Sequence, residues 1–354
     1  MKREGNLFEK VADFHALCAA AKRAARGKGG AYSTAAFIID MERETLALQR
    51  DILDGTYRPK PYRTFYISDP KPRTISAADF RDRVAHHALC AVLEPLFERA
   101  AIFDSYACRK GKGSHAAVRR AQSFAGRFPY FLKLDVKKFF ETVDHGVIMT
   151  GLRRLVKDGW LLVLADRIIE HGAPGSPPGK GLPIGNLTSQ HFANNYLSPL
   201  DHFIKENLRV PGYIRYMDDL LFFAESKAFL RGVNQTVRDY MTDRLKLEIK
   251  TKATILAPVS EGVPFLGLRV WPHLIRLDGT SKRRLMGSLR SAAKGINVGW
   301  CTEDEVAPSL ASKLGHAGHA DTLALRRSLG GIMDLVRGCY RLEPRHTWRV
   351  VQQQ

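Results

Sequence analysis

The sequence predicts an α+β fold. Apolar residues with helical spacing fill the segment from Leu7 to Leu53, and helical spacing returns after Val270. Between these regions, short apolar runs separated by turn residues predict strand pairs near Thr64, Tyr213 and Phe265. Helices gathered at the two ends of a chain, around a region of hairpins, are typical of the α+β class.

Composition indicates a partner with many negative charges. The 354 residues include 55 Lys and Arg against 36 Asp and Glu, which gives a formal net charge of +19. Such an excess favours nucleic acid, because bound cations displace the counterions of the phosphate backbone. The alternative is an ordinary basic enzyme, since charge by itself identifies no reaction. The length allows two domains, or one domain with lobed extensions.

Cysteine usage and hydropathy exclude several protein classes. Five scattered cysteines without a Cys-x-x-Cys pair indicate neither a disulfide framework nor a zinc site. No apolar run approaches the roughly 18 residues that span a bilayer, and the N-terminus does not resemble a signal peptide. We therefore expect reduced thiols, no membrane association and a cytoplasmic location.

The first part of the chain is predicted to be helical, with one hairpin. We expect helices over 7–26 and 33–53, separated by the basic, glycine-rich break 26–30. Residues 64–67 and 69–75 predict a hairpin that carries exposed cations. A further helix is expected from Ala78 to Phe97.

The middle of the chain predicts two apolar strand regions that lead into acidic residues. The first is the buried strand Phe128–Val136, which contains Asp135 near its end. A loop rich in Gly and Pro (172–183) and a helix over 186–203 follow. The second is a hairpin with arms 213–216 and 220–224.

The last part of the chain is predicted to form a separate basic lobe. A helix over 226–245 precedes short strands near 249–255 and 265–270. Beyond them, the sequence predicts helices to the end of the chain.

The two acidic turns are candidates for a metal site. Asp135 follows an apolar strand, and Asp218 and Asp219 lie between two apolar arms. Adjacent carboxylates repel each other, and their hard oxygen atoms suit Mg²⁺. Two such ions can serve phosphoryl transfer. The alternative for the second motif is a structural hairpin turn, because Asp favours turns.

Four ordered segments resemble one polymerase family. The segments are Leu134–Phe140, Gly181–Gln190, Arg215–Asp219 and Phe265–Gly267. Together they resemble the palm of reverse transcriptases, and the resemblance covers about 57–270. It implies a right-hand polymerase architecture with fingers, a palm built on an antiparallel sheet, and a helical thumb. The implied domains are an N-terminal helical extension (1–56), fingers and palm (57–272) and thumb (273–354).

The resemblance also implies the catalytic residues. Asp135 and Asp218 would bind two Mg²⁺ ions, with help from the Val136 carbonyl, and Asp219 would complete the acidic triad. Phe140 matches the position whose ring blocks a ribose 2′-hydroxyl and so selects deoxynucleotides. The alternative is that Phe140 is a core residue beside Phe139.

Further residues match positions that contact nucleotide or nucleic acid. Lys71 and Arg73 would present cations to the incoming triphosphate, with a solvated basic turn as the alternative. Lys250 would lie near the pyrophosphate, although Lys252 competes for this role. The residues implied to contact nucleic acid are Arg81, Arg83, Arg109, Lys110 and Gly267. For the arginines, salt bridges at the surface are an equal alternative.

Two departures from the common pattern indicate a subtype. Ile184 stands where most members have Gln, and Gln190 stands where most have Pro; we assign both to the nucleotide-binding site. This form resembles the reverse transcriptases of diversity-generating retroelements. Those enzymes copy a template RNA into cDNA from deoxynucleotides with errors opposite adenine, and they act with a small basic pentameric accessory protein.

Other classes remain open. A retron, group II intron-like or defence-associated reverse transcriptase would share the palm but should have the common residues at both positions. A non-catalytic RNA-binding protein on a polymerase scaffold would explain the charge, but it would not need all three acids. A P-loop nucleotidase is disfavoured, because Gly111–Gly113 and Gly179–Gly181 lack the required spacing.

Overall fold

The computed structural model describes residues 2–28, 30–68, 72–327, 340–342 and 348–350, with side chains as far as Leu325. The predicted nucleotide-binding residue Lys71 lies outside these ranges. The α-helices are α1 (Phe8–Ala12), α2 (Phe14–Ala25), α3 (Tyr32–Ile39), α4 (Met41–Leu53), α5 (Phe80–Ala100), α6 (Ser114–Ala125), α7 (Phe139–Thr142), α8 (His145–Leu155), α9 (Gly159–Glu170), α10 (Leu187–Tyr196), α11 (Ser198–His202), α12 (Lys227–Leu245), α13 (Gly279–Asn297), α14 (Glu303–Gly318) and α15 (Leu323–Arg327). The strands are β1 (Arg63–Ile67), β2 (Arg73–Ala77), β3 (Tyr130–Asp135), β4 (Gly212–Tyr216), β5 (Asp219–Ala224), β6 (Ile255–Pro258), β7 (Val263–Phe265), β8 (Leu268–Val270), β9 (Ile275–Leu277), β10 (Tyr340–Leu342) and β11 (Trp348–Val350).

Both helices predicted near the N-terminus are divided by an aspartate. Asp13 separates α1 from α2 in an extended conformation, and its side chain accepts a hydrogen bond from the Ala16 amide at 2.7 Å. Asp40 separates α3 from α4. Aspartate favours helix N-termini because its side chain can satisfy free backbone amides, as Asp13 does, whereas the Asp40 side chain pairs with Arg43 and caps no amide. The prediction of two uninterrupted helices was therefore wrong at these two residues.

The predicted hairpin between the helices is confirmed. Strands β1 and β2 pair antiparallel, with Phe65 opposite Ile75. The Ser76 amide donates to the Ile184 carbonyl at 2.9 Å. Gly185 has a φ of 114°, and a Cβ there would lie 2.8 Å from the Ile75 Cγ2 atom. The hairpin therefore packs closely against the loop that carries Ile184.

A four-stranded sheet has the order β4-β5-β3-β6. Every residue of β5 after Asp219 is buried, and β4 is buried up to Tyr216. When successive residues of a strand are all buried, other parts of the protein must pack against both faces of the sheet. Because β3 and β5 are neighbours, Asp135 and Asp219 belong to adjacent strands.

Strands β7, β8 and β9 form a separate antiparallel sheet. The predicted strand over 265–270 is interrupted by a tight turn between β7 and β8, because Leu266 and Gly267 both have positive φ values, 51° and 79°. A two-residue turn with two positive φ values is typical of hairpins. The tail also differs from the prediction, since β10 and β11 pair antiparallel where helix was expected.

The chain divides into two compact units that are not consecutive segments. The first consists of residues 1–113, 133–221 and 231–255, and the second of residues 114–132, 222–230 and 256–354. In the second unit, α13 and α14 share an apolar core that includes Leu285, Leu289 and Leu314. The division into 1–56, 57–272 and 273–354 stays a prediction. Within the described ranges, none of the helices has the length and hydropathy needed to cross a membrane.

Candidate active site

The three acids of the predicted triad lie in the first unit, at the ends of neighbouring strands. Asp135 ends β3, Asp218 lies in the turn after β4, and Asp219 begins β5. The Val136 amide donates to the Asp218 carbonyl at 3.4 Å, which joins the two acidic segments through the backbone. Met217, in the same turn, has a φ of 53°. This conformation costs a non-glycine residue energy and is characteristic of functional turns.

Two lysines pair with the acids. Lys250 Nζ lies 2.6 Å from Asp135 Oδ1, and Lys133 Nζ lies 3.2 Å from Asp219 Oδ1. The Lys250 amide also donates to the Asp135 carbonyl at 2.9 Å. Lys252 is exposed. Of the two lysines considered for the pyrophosphate, Lys250 is therefore the one that contacts the acidic site.

Electrostatics at the site favour a bound cation. Burial raises the pKa of Asp218, and repulsion from Asp219 and Asp135 raises this pKa further. Burial also raises the pKa of Asp219, while Lys133 opposes the change. A divalent cation would remove this repulsion by neutralising the carboxylates.

The donor atoms fit Mg²⁺ but do not form a closed cage. Among the residues that the structure describes, no three His, Cys, Asp or Glu side chains converge closely enough to hold an ion alone. Mg²⁺ usually binds one or two carboxylates and completes its shell with water and substrate phosphates. Oxygen donors at Asp135, Asp218 and the Val136 carbonyl match this preference.

The structure distinguishes the two adjacent phenylalanines. Phe139 is 2% exposed, and its ring centroid lies 6.2 Å from that of Tyr196. Phe140 is half-buried, with its ring edge-on to Phe139 at 5.6 Å. The Leu182 amide donates to the Phe140 carbonyl at 2.7 Å. Phe139 is therefore a core residue, and the role of Phe140 in sugar selection stays a prediction.

The residues predicted to mark the subtype lie on two neighbouring segments of the chain, a loop and the helix that follows it. Ile184 is half-buried in the loop beside β2, and Gln190 is exposed on α10. The Gln190 side-chain oxygen lies 3.3 Å from the Cys108 thiol, a contact that the sequence did not suggest. Arg73 is exposed at the start of β2.

The four cations predicted to contact nucleic acid differ in their surroundings. Arg109 donates to both carboxylate oxygens of Glu98, at 2.8 and 2.6 Å, and its remaining nitrogen donates to two backbone carbonyls. Arg81 is paired with Asp51, and Arg83 donates to a backbone carbonyl at 2.9 Å. These contacts favour the salt-bridged alternative for Arg81 and above all for Arg109, whereas Lys110 is exposed.

Gly267, which is predicted to contact nucleic acid, lies in the second unit. A Cβ at this position would lie 2.9 Å from Ser281 Oγ. Its carbonyl accepts a hydrogen bond from the Asp278 amide at 3.1 Å. The close approach that glycine permits is therefore made to the start of α13, and contact with nucleic acid stays a prediction.

Sequence reasoning missed one buried ion pair beside the acidic turn. Arg215 is 1% exposed and Asp201 is 0% exposed, and their side chains approach to 2.6 Å. Arg215 lies inside the otherwise apolar strand Tyr213–Tyr216, and a buried charge requires a partner. The sequence could therefore have indicated that an ion pair exists here. The partner itself lies on α11 and could not be identified from spacing.

Comparisons with known proteins agree with the geometry. A family model described as reverse transcriptase (RNA-dependent DNA polymerase) matches residues 60–270. The chain is 25% identical to protein YkfC of Escherichia coli K12, an alignment that covers 64% of this chain and 71% of YkfC. It is 21% identical to the group II intron-encoded protein LtrA of Lactococcus lactis subsp. cremoris, over 68% of this chain and 51% of LtrA. It is also 36% identical to nuclear intron maturase 1 of Arabidopsis thaliana, over 25% of this chain and 12% of the maturase.

A solved structure supports the same fold. Telomerase from Candida albicans, in complex with a fragment of telomeric RNA, superposes with a TM-score of 0.51 at 10% identity. The match covers 79% of this chain and 57% of the telomerase chain. Because the family model spans more than half of the residues, this chain belongs to the reverse transcriptase family and has the right-hand polymerase fold.

Proposed function

We propose that this protein is an RNA-directed DNA polymerase that makes cDNA on an RNA template from deoxynucleotides. The observation that carries the proposal is the acidic site: Asp135, Asp218 and Asp219 at the ends of adjacent strands, with Lys250 beside Asp135. A scaffold that only bound RNA would gain nothing from placing half-buried acids where they repel each other.

The side chains of the site have distinct roles in this proposal. Asp135, Asp218 and the Val136 carbonyl would hold two Mg²⁺ ions. When bound, these ions activate the primer hydroxyl and stabilise the leaving oxygen of the pyrophosphate. Lys133 pairs with Asp219 and favours its charged form, against the rise in pKa that burial causes. Lys250 supplies a cation that can turn from Asp135 toward the departing pyrophosphate, since an ammonium on a flexible stem suits a moving anion.

Primer extension tests the proposal. The purified protein should extend a DNA primer on an RNA template with Mg²⁺, and Asp218→Asn should abolish extension while RNA binding is retained. The asparagine keeps the shape but lacks the charge that a cation requires. Asp243→Ala, which removes an exposed acid from α12, is the matched control and should extend normally. Undiminished extension by Asp218→Asn would reject the site.

For the subtype, we propose the error-prone reverse transcriptase of a diversity-generating retroelement, working with a small basic accessory protein. Ile184 and Gln190 support this assignment. The Ile184 carbonyl accepts a hydrogen bond from Ser76 of β2, so Ile184 is held beside the strand that begins with Arg73. An isoleucine cannot make the hydrogen bond that glutamine offers a nucleotide, and one lost positioning contact can change selectivity by about 1–3 kcal/mol.

Sequencing of cDNA tests the subtype. Ile184→Gln should lower misincorporation opposite template adenine more than opposite other bases, in reactions that contain the accessory protein. Val163→Gln, an exposed apolar residue on α9, controls for adding an amide elsewhere. Equal adenine errors in both proteins, at equal product yield, would remove the support for this subtype.

A group II intron-like reverse transcriptase is the second candidate. The similarity to LtrA and to an intron maturase favours it. An intron-type protein should assist splicing of an intron RNA, whereas the first candidate should not. A splicing assay with the RNA encoded beside the gene, run alongside the error measurement, separates the two subtypes.

A further inference from the structure

Arg215 lies in β4, three residues before Asp218, and forms a deeply buried ion pair. Its Nε donates to both oxygens of Asp201, at 2.8 and 2.9 Å, and its Nη2 donates to Oδ2 at 2.6 Å. A buried ion pair is often no more stabilising than apolar residues of similar volume. Its presence beside the catalytic turn therefore calls for a role other than stability.

The other edge of the guanidinium reaches the catalytic turn. Nη1 donates to the Met217 carbonyl at 3.3 Å and to the Asn194 side-chain oxygen at 2.9 Å. Nη2 also donates to the Asn194 carbonyl at 3.2 Å. All five N–H donors of Arg215 are thereby used. One planar group thus joins α11, α10 and the residue that precedes Asp218.

The partners of Arg215 are held in place by further contacts. The Tyr213 hydroxyl donates to Asp201 Oδ1 at 2.7 Å, and the Asn194 side-chain amide donates to the Ala107 carbonyl at 2.5 Å. Such a network presents the guanidinium in one orientation. Lysine could keep the charge, but its three donors diverge from a single atom and cannot span these acceptors in one plane.

The turn itself needs support. Met217 has a φ of 53°, a left-handed conformation that is unfavourable for a non-glycine residue. Such strain persists only where surrounding contacts hold the backbone. The hydrogen bond from Arg215 to the Met217 carbonyl is one such contact.

We propose that Arg215, oriented by Asp201 and Asn194, is a positioning residue that fixes the Met217–Asp218 turn so that Asp218 is presented in its metal-binding orientation. This inference rests on the proposed polymerase function for its kinetic consequence. Its structural consequence, a turn held by the guanidinium, is independent of that function.

The experiment compares Arg215→Lys with Arg99→Lys. Arg99 is paired with Glu4 outside the β4–β5 hairpin, so its variant is the matched control. Three properties are measured: kcat and KM for the deoxynucleotide in primer extension, amide hydrogen exchange of a peptide covering 213–220, and the melting temperature. Arg215→Lys should lower kcat by about 10- to 100-fold, the usual effect of losing a residue that orients a metal ligand. KM should change little, and exchange at 217–219 should be faster.

A second variant separates positioning from stability. Replacing the network by apolar residues, with Tyr213→Phe, Asp201→Leu and Arg215→Met together, removes the buried charges and can preserve the fold. If Arg215 positions the turn, this variant should melt near the wild-type temperature and still show low kcat and rapid exchange at 217–219. Recovery of kcat together with stability would overturn the proposal, as would wild-type kcat and exchange in Arg215→Lys. If the wild-type protein extends no primer, the polymerase function fails, and hydrogen exchange still decides whether Arg215 holds the turn.

Discussion

At the scale of single residues, Phe139 and Phe140 show how adjacent side chains of one type can differ in role. The ring of Phe139 packs in the core against Tyr196, whereas the Phe140 ring is half-buried. A half-buried ring can exclude a substrate group by size alone. If Phe140 selects the sugar, as the sequence predicts, the selection depends on volume rather than on hydrogen bonding.

We expect Phe140→Ala to admit ribonucleotides. Removing the ring opens the space that a 2′-hydroxyl would need, so the ratio of kcat/KM for deoxynucleotide over ribonucleotide should fall by at least about tenfold. Phe139→Leu is the control, because it removes core packing and should lower stability without changing sugar discrimination. Unchanged discrimination in Phe140→Ala would assign its ring to packing.

The buried His86 should make the folded protein less stable in acid. Burial lowers its pKa to about 3, and its Nε2 atom has no hydrogen-bond partner among the described residues. A folded-state pKa below the unfolded value of about 6.5 means that only the unfolded chain binds the proton. The stability that the neutral His86 contributes is complete above pH 6.5 and is lost as the pH falls toward 3.

Urea unfolding at two pH values measures this effect. Between pH 7 and pH 5, protonation of His86 in the unfolded chain should lower the free energy of unfolding by about 2 kcal/mol. His86→Leu should therefore lose less stability over this interval than the wild-type protein, whatever its stability at pH 7. An identical pH dependence of the two proteins would show that His86 is not the residue responsible.

The acidic triad was predictable at this scale, and the Arg215–Asp201 pair was not. Asp135, Asp218 and Asp219 each follow or precede an apolar strand, so their sequence context identified them. The partner of Arg215 depends on how α11 packs beside β4, which no local pattern records. The same limit applies to Arg109, whose sequence context indicated nucleic acid but whose donors are used within the protein.

At the scale of elements, strands were predicted better than helix boundaries. Both hairpins, β1–β2 and β4–β5, were expected from alternating apolar residues and turn residues. The helix divisions at Asp13 and Asp40 were missed because apolar spacing continues across them. The turn at Leu266–Gly267 was missed because the flanking residues read as one continuous strand.

Gly267→Ala should destabilise the protein. The residue has a φ of 79°, and an added Cβ would lie 2.9 Å from Ser281 Oγ. Left-handed backbone costs alanine about 1–2 kcal/mol. Gly287→Ala, in the middle of α13 with open space around it, should instead stabilise the helix by about 0.5–1 kcal/mol. Denaturant unfolding of both variants is the test, and shifts of the same sign would contradict the argument.

At the scale of the whole molecule, the net charge of +19 predicts that binding to a polyanion depends on salt. Affinity for single-stranded RNA should fall with salt, with a log-log slope of about −0.7 for each contacted phosphate. Fluorescence anisotropy over a salt series measures the slope. A flat response would exclude binding through counterion release.

The same titration distinguishes Lys110 from Arg109. Lys110→Ala should reduce the slope by about 0.7 if the exposed ammonium contacts a phosphate. Arg109→Ala should leave the slope unchanged and lower stability, because the guanidinium is bonded to Glu98 and to backbone carbonyls. A reduced slope for Arg109→Ala would restore its assignment to the nucleic-acid surface.

The buried pair of Arg215 and Asp201 also has an evolutionary consequence. Replacement of either residue alone leaves an uncompensated charge in the core, at a cost of about 3–5 kcal/mol, so single substitutions should be removed by selection. The two positions are 14 residues apart in sequence and lie on different elements. An alignment of related chains should therefore show Asp201 and Arg215 kept together wherever the acidic triad is kept, and lost together only in chains that also lack the triad.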